Sequence, residues 1–349
     1  MKKYIFILGR DIELSLAELF SYLKKNQINY NVLDKFRDLI VIEIEKLFQI
    51  DLLGGLVKIA EVIEDKEYFF NNLTFSKNKI KYVVNDEEIR NNLKKIFKEQ
   101  GIKAFYKSEI KSLTTASRVD LELIKFKDHL AKVIMISNPK EYKKRDELRP
   151  FFDAKKVTSI RLAKILINLS EARNEILDPF CGSGTILQEA LLLNLNACGL
   201  DLNIKEAKEN LGWLRKNFNF KPRYRVFQGD SRSLSNYFNR VECVVTEPYL
   251  GPYFKKYPRY DEALMVIKDL ERLYIDVFKE LNKVVEKSVV ILLPIIKTNV
   301  KKNLKINIIK LLEGTNFKIR SENFPIIYFN KGAIVEREIY VLDKVRNRV

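Results

Sequence analysis

Two glycines, Gly182 and Gly184, lie in a turn between a short apolar run and a longer apolar segment. Glycine accepts backbone angles that other residues avoid and lets a ligand approach the main chain, so such a turn suits the carboxyl edge of a parallel sheet. The G-x-G-x-x-G spacing of a dinucleotide site is absent, and Thr185 stands where a P-loop has lysine. A lone turn of this kind is usually an ordinary strand-to-helix connection, so its neighbours decide whether it indicates a nucleotide-like cofactor.

Three acidic residues end three successive predicted strands. Asp178 precedes the glycine turn, Asp201 lies 23 residues further on, and Asp230 ends the third strand. A carboxylate at the second strand tip can accept hydrogen bonds from both hydroxyls of a ribose, and one at the third can accept from the exocyclic amine of adenine. Three such acids behind a glycine turn predict a cofactor that contains adenosine.

The fourth predicted strand leads into Thr246-Glu247-Pro248-Tyr249. Proline stiffens a loop, a carboxylate can hold an amine proton and orient its lone pair, and an aromatic ring can stack on a flat base. The segment is therefore predicted to be a catalytic loop. The alternative is a proline-bounded strand exit without chemistry.

These residues need a scaffold that brings several strand ends to one edge. From residue 157 onward the sequence alternates helical segments with short apolar strands, as a parallel sheet covered on both faces requires. Near the end, the turn signal Asn330-Lys331-Gly332 predicts a closing antiparallel hairpin. The fold class predicted for this half is α/β.

The N-terminal half mixes strand-like and helix-like segments without a repeated glycine turn, which predicts an α+β module. Thr114-Thr115-Ala116-Ser117 is predicted to open a helix there. A polar, charge-dense stretch follows and predicts a linker. The expected organisation is an N-terminal region at 1–137, a linker at 138–153 and a catalytic domain at 154–349.

Lysine and arginine outnumber aspartate and glutamate by 63 to 46, which leaves a formal charge of +17. Such a field concentrates polyanions, and nucleic acid is the natural partner. A lysine-rich solvated surface is an equal competitor on charge alone.

Three cysteines, Cys181, Cys198 and Cys243, and the single His129 have neither metal-ligand spacing nor a disulfide pattern. We therefore expect no metal site, a structural role for His129, and a reducing, cytoplasmic setting. The longest apolar runs fall well short of the roughly 20 residues that a membrane span needs, so no membrane partner is expected.

The segments Tyr142-x-x-Arg145-Asp146-x-x-Arg149-Pro150-x-x-Asp153, Arg161-Leu162-Ala163 and Leu177 to Ala190 share a pattern with known enzymes, as do Phe6 to Arg10 and Glu13 to Leu19 near the start. On these residues the chain resembles class I methyltransferases, and within them the THUMP-domain RNA guanine-N2 methyltransferases that modify guanosine 10 of tRNA. The match is weak across residues 30 to 130. The resemblance implies a Rossmann-like, seven-stranded class I sheet that binds S-adenosylmethionine, behind an N-terminal THUMP-containing region that grips tRNA.

Carried over to this sequence, the resemblance places Asp178, Gly182 and Gly184 at the methionine end of the cofactor, Asp201 at its ribose and Asp230 at its adenine. Three neighbours complete the implied cofactor set: Phe180, Thr185 and Ser231. The family's usual Asp-Pro-Pro-Tyr loop is replaced here by Thr246-Glu247-Pro248-Tyr249. Either Glu247 or Thr246 can align with the family's aspartate, and Glu247 is preferred because it keeps a carboxylate.

The leading hypothesis is therefore methylation of the exocyclic N2 amine of a tRNA guanosine. A second hypothesis changes the acceptor to another RNA base amine or tRNA position. A third is a basic RNA-binding protein whose catalytic half has decayed, which the altered loop supports. An oxidoreductase is the weakest reading because the glycine spacing is wrong for a dinucleotide. The sequence leaves open whether a small activator protein or a homodimer takes part.

Overall fold

The computed structural model describes residues 1–108, 119–153, 158–329 and 332–345. The chain divides into two compact units, Met1–Lys140 and Glu141–Val349. A helix, Pro139–Leu148, occupies most of the stretch that composition marked as a linker. The segment Thr114 to Ser117, predicted to open a helix, lies outside the described residues.

The first unit is a mixed sheet with three described helices. Its strands are β1 Lys2–Leu8, β2 Tyr30–Phe36, β3 Leu39–Ile44, β4 Leu56–Val62, β5 Lys79–Val84, β6 Lys103–Tyr106, β7 Leu121–Phe126 and β8 His129–Ile136, and its helices are α1 Ile12–Lys25, α2 Lys66–Asn71 and α3 Glu87–Glu99. The strand order is β2-β3-β1-β4-β8-β7-β5-β6. Strand β5 pairs in parallel with β6 and β7, and the other pairings are antiparallel. The predicted α+β character of this half agrees with these elements.

A buried carboxylate fixes a glycine loop in the first unit. Glu18 of α1 is fully buried, and its two oxygens accept hydrogen bonds from the backbone N–H groups of Gly54 at 2.8 Å and Gly55 at 2.6 Å. A Cβ atom on Gly55 would lie 2.7 Å from the Cα of Ser15, so a side chain does not fit there. Within the segment Glu13 to Leu19, Glu18 therefore has a structural task.

The second unit contains the predicted alternation of helices and strands. Its strands are β9 Glu175–Asp178, β10 Asn196–Asp201, β11 Tyr224–Gln228, β12 Val241–Thr246, β13 Val285–Lys297, β14 Asn303–Lys305, β15 Phe317–Ile319, β16 Ile326–Tyr328 and β17 Val335–Lys344. Its helices are α4 Pro139–Leu148, which begins at the boundary, α5 Ile160–Leu169, α6 Thr185–Leu192, α7 Lys205–Asn217, α8 Tyr260–Val284 and α9 Ile308–Leu312. Short 3-10 turns span Ile50–Leu52 and Ser231–Asn236.

Seven strands follow one path, β11-β10-β9-β12-β13-β17-β15, and the first five are parallel. Two further short strands join it, because β14 pairs with β13 and β16 pairs with β17. The described part of the sheet thus has nine strands rather than the predicted seven. The 13-residue β13 and the 10-residue β17 are long enough to pair with a further short strand as well as with their main partners. The antiparallel β16–β17 pair confirms the predicted closing hairpin, although Asn330 and Lys331 of its turn lie outside the described residues.

Candidate active site

The ends of four parallel strands bring the sequence-predicted residues to one sheet edge. Gly199 of β10 is in register with Asp178 of β9, and Val244 of β12 is in register with Leu177. Asp201 ends β10, and Gln228, its partner in β11, precedes Asp230 by two residues. Parallel sheets bind ligands at this carboxyl edge, so the fold supports a site there.

Asp201 holds the glycine turn in place. One of its carboxylate oxygens accepts the backbone N–H of Gly182 at 2.8 Å, and the other accepts that of Asn203 at 3.0 Å. Gly182 has φ +48°, and a Cβ atom there would have no heavy atom within 4 Å. Gly184 has φ +81°, and its Cβ would lie 3.4 Å from Ala207 of α7. The turn is therefore packed against a helix at Gly184 and open beside Gly182, where a ligand can approach the backbone.

Asp178 joins the glycine turn to the fourth strand. Its side chain is buried, and one oxygen accepts both the backbone N–H of Phe180 at 3.0 Å and the hydroxyl of Thr246 at 2.7 Å. Burial is the main cause that raises the pKa of Asp178 to about 7, and the hydrogen bonds from Thr246 and Phe180 oppose it. Thr246 thus acts as an anchor between two strand ends rather than as an exposed site group.

Asp230 lies at the edge but pairs with a neighbour. The guanidinium of Arg232 approaches its carboxylate to 2.6 Å, and this hydrogen bond lowers the pKa of Asp230. Asp230 also accepts the backbone N–H of Arg232 at 2.9 Å as the cap of the following 3-10 turn. A ligand amine would have to share this carboxylate with Arg232.

Three other members of the predicted cofactor set contact protein groups. The hydroxyl of Ser231 is buried and donates to the carbonyl of Pro179, so it ties the third strand end to the glycine turn. The hydroxyl of Thr185 is buried beside Arg149, whose Nη1 donates to it at 2.8 Å. Phe180 is half-buried against the apolar core of the second unit. These side chains shape the turn from behind.

Partly buried charged residues of helix α4, together with Arg149 directly after it, pack behind the glycine turn. Arg145 forms an ion pair with Glu189 of α6 at 2.5 Å, and Arg149 forms one with Asp146 at 3.1 Å. Burial raises the pKa of Asp146 to about 6, and the nearby guanidinium of Arg149 opposes this rise. No role was predicted for these charges, although Arg145, Asp146 and Arg149 belong to the sequence pattern shared with known enzymes.

Glu247 is held by Arg337 and Thr158, neither of which was predicted to belong to the site. Its side chain is 13% exposed; one oxygen accepts from Nε of Arg337 on β17 at 2.5 Å, and the other accepts the hydroxyl of Thr158. These partners fix the carboxylate at the end of β12. Both lie about 90 residues away in sequence, and no local pattern marks them.

Pro248 and Tyr249 differ in exposure. Pro248 is buried, whereas the ring of Tyr249 is 58% exposed and its backbone carbonyl accepts the hydroxyl of the buried Tyr274 at 2.5 Å. The main chain of the loop is thus tethered to α8 while the ring remains free to meet a ligand. Gly251, at φ +102°, lets the chain turn away after it.

Among the described residues, no group of three or more histidine, cysteine or acidic side chains could hold a metal ion. The three cysteines are free and buried, and burial raises their thiol pKa, to about 11 for Cys243. No helix among the described residues is both long and apolar enough to cross a membrane.

Comparison with solved structures shows the fold. The crystal structure of TrmN from Thermus thermophilus is 16% identical, with 98% of this chain and 100% of that chain covered at a TM-score of 0.53. This likeness identifies a mixed α/β methyltransferase fold.

Two curated relatives share part of the sequence, and both are named tRNA (guanine(10)-N2)-dimethyltransferase. The one from Methanothermobacter thermautotrophicus is 35% identical over 112 residues, which are 31% of each chain. The one from Pyrococcus abyssi is 33% identical over 117 residues, 32% of this chain and 34% of the relative. The matched stretch thus spans about a third of the length of these relatives.

Two family models match the chain. One, described as RMKL-like, methyltransferase domain, matches residues 148–305. The other, described as DNA methylase, matches residues 19–211. Because the latter covers more than half of the 349 residues, the chain belongs to this methylase family.

Proposed function

We propose that this protein transfers a methyl group from S-adenosylmethionine to the exocyclic N2 amine of a guanosine in tRNA, at the position named in its relatives, guanosine 10. The observation that carries the proposal is the Glu247 carboxylate, fixed by Arg337 and Thr158 on the same sheet edge as the glycine turn. A methyl acceptor held there would face a cofactor lying on that turn.

The residues of the turn fit S-adenosylmethionine. The open backbone at Gly182 admits a ligand, Asp201 can accept both ribose hydroxyls, and the exposed side chain of Leu202 offers an apolar surface beside it. Asp178 and Gly184 would line the methionine end with Gly182, and Asp230 would meet the adenine amine. Phe180, Thr185 and Ser231 support these groups through the protein contacts described above. When bound, the cofactor supplies an electrophilic methyl group on a sulfonium.

The catalytic loop would orient the acceptor. Glu247 would accept an N2–H hydrogen bond and direct the nitrogen lone pair towards the turn. The nitrogen would take the methyl group, the bonding pair would stay on sulfur as a neutral thioether, and the N2 proton would pass to Glu247 or to water. This needs neither a metal nor a covalent intermediate. The exposed ring of Tyr249 would stack on the base. Buried Pro248 limits the loop's freedom, while Thr246 fixes it to Asp178. Glutamate is one methylene longer than the aspartate usual in the RNA guanine-N2 methyltransferases that the sequence resembles. Its ion pair with Arg337 restrains the longer side chain.

The formal charge of +17 supports tRNA as the partner. We assign tRNA capture to a THUMP-containing region at residues 1–137 and catalysis to 154–349, with 138–153 between them.

The proposed reaction is tested with transcribed tRNA and labelled cofactor, followed by mass spectrometry of the nucleosides. We expect N2-methylated guanosine, and a duplex DNA of matched length should remain unlabelled. Methyl groups on another base amine, or on DNA, would contradict the proposed acceptor. Tight tRNA binding without cofactor binding would instead support a decayed enzyme.

Cofactor affinity should depend on pH through Asp178. The sulfonium and ammonium charges of the cofactor favour the ionised carboxylate, and its pKa of about 7 means that a proton competes with the ligand below that value. Calorimetric affinity should therefore fall as pH drops below 7, approaching about tenfold per pH unit. The control is Asp178→Asn, which keeps an oxygen for Thr246 and should bind weakly with a flatter profile. Equal pH slopes for both proteins would remove Asp178 from the site.

A further inference from the structure

We infer that Arg337, paired with Glu247, reads the O6 atom of the target guanine. The inference rests on the proposed function, because it concerns the base that the same loop would hold. It assigns to Arg337 a contact with the substrate in addition to its ion pair.

The position of Arg337 follows from the strand register. Arg337 of β17 lies opposite Pro294 of β13, whereas Thr246, the last residue of β12, lies opposite Ile291. Arg337 is therefore three residues further along β13 than the end of β12. This places its side chain beyond that strand end, where Glu247 meets it at 2.5 Å.

The guanidinium has donors to spare. Arginine carries five N–H groups, and the contact with Glu247 uses the one on Nε. Within the described residues, no protein group accepts a hydrogen bond from the two terminal nitrogens of Arg337. These nitrogens are also not buried, since neither is among the buried polar atoms that have no partner. The side chain is 24% exposed. The four remaining N–H groups can therefore donate hydrogen bonds to a ligand. A base that excludes water from them must supply an acceptor in its place.

The carboxylate also retains acceptor capacity. Each carboxylate oxygen offers about two lone-pair sites, and Arg337 and Thr158 occupy one on each oxygen of Glu247. The pair thus presents a donor group beside an acceptor group at the sheet edge.

Guanine matches this arrangement. The edge of guanine carries an acceptor at O6 next to N–H donors at N1 and N2, so O6 can face Arg337 while the amine faces Glu247. Adenine placed in the same orientation would set its 6-amine against the N–H groups of Arg337 and would offer no amine to Glu247. Contacts of this kind discriminate between bases by about 10- to 100-fold.

The test replaces the target guanosine of the tRNA with 2-aminopurine, which keeps the N2 amine but lacks O6. The kcat/KM ratio of guanine to 2-aminopurine is measured for the wild-type protein, Arg337→Met and Arg337→Lys. Arg272→Met is the matched control, because Arg272 is an exposed arginine of α8. Calorimetric cofactor binding identifies the folded variants. Because 2-aminopurine also lacks N1–H, the comparison that carries the test is the change in this ratio between Arg337→Met and Arg272→Met.

We expect the wild type and Arg272→Met to prefer guanine by about 10-fold or more. Arg337→Met should lose most of this preference, and Arg337→Lys should keep part of it through its single ammonium. An unchanged ratio with slower turnover on both bases would reduce Arg337 to a positioning residue for Glu247 and overturn the inference. A wild type without preference would overturn it without any variant. If the wild type methylates no guanine amine, the proposed function itself falls.

Discussion

Replacing Glu247 with alanine is expected to lower kcat for tRNA methylation at least about a hundredfold while leaving cofactor affinity unchanged. The variant would remove the proposed acceptor for the guanine amine, and it leaves Arg337 and Thr158 without their shared partner. Single-turnover methyl transfer and calorimetry measure the two effects separately.

Two controls sharpen this test. Glu247→Gln keeps a carbonyl oxygen for Arg337 or Thr158 but loses the charge, so activity between wild type and alanine would separate shape from electrostatics. Glu322→Ala removes an exposed glutamate of the second unit and should retain full activity. Full activity in Glu247→Ala would exclude the proposed role of the loop.

Replacing Asp201 with alanine is expected to weaken cofactor affinity about a hundredfold or more. The variant would remove the two proposed charge-assisted contacts to the ribose, and it frees the backbone N–H of Gly182, which Asp201 accepts at 2.8 Å. Calorimetric titration with S-adenosylmethionine measures the loss directly.

The matched control is Glu209→Ala, an exposed acid on helix α7, which should bind as the wild type does. At saturating cofactor, Asp201→Ala should recover most of its kcat, in contrast to Glu247→Ala. Unchanged affinity in Asp201→Ala would mean that the cofactor lies elsewhere.

The strand tips could be predicted because their signals are local. Asp178 ends β9, and the glycine turn follows at once, as the predicted strand end and turn indicated. Acids that end parallel strands must meet at one edge whatever the loops do. The placement of Asp178, Asp201 and Asp230 therefore followed from element order alone.

The support of the site could not be predicted, because it depends on long-range register. Arg337 reaches Glu247 only through the pairing of β12, β13 and β17. The polar composition of α4 fits a solvated linker as well as a helix. Only the folded structure shows that Arg145 is largely buried in an ion pair with Glu189. Strands of three residues, such as β15, are too short for periodicity to reveal.

The hydrogen bond between Thr246 and Asp178 would make the proposed cofactor site and the proposed base site thermodynamically dependent on each other. A cation that draws Asp178 into its charged state strengthens the acceptor that anchors the base-binding loop. Linkage then requires reciprocity: any factor by which the cofactor tightens tRNA must equal the factor by which tRNA tightens the cofactor. Because protonation of Asp178 weakens that anchor, acidity would loosen both ligands together.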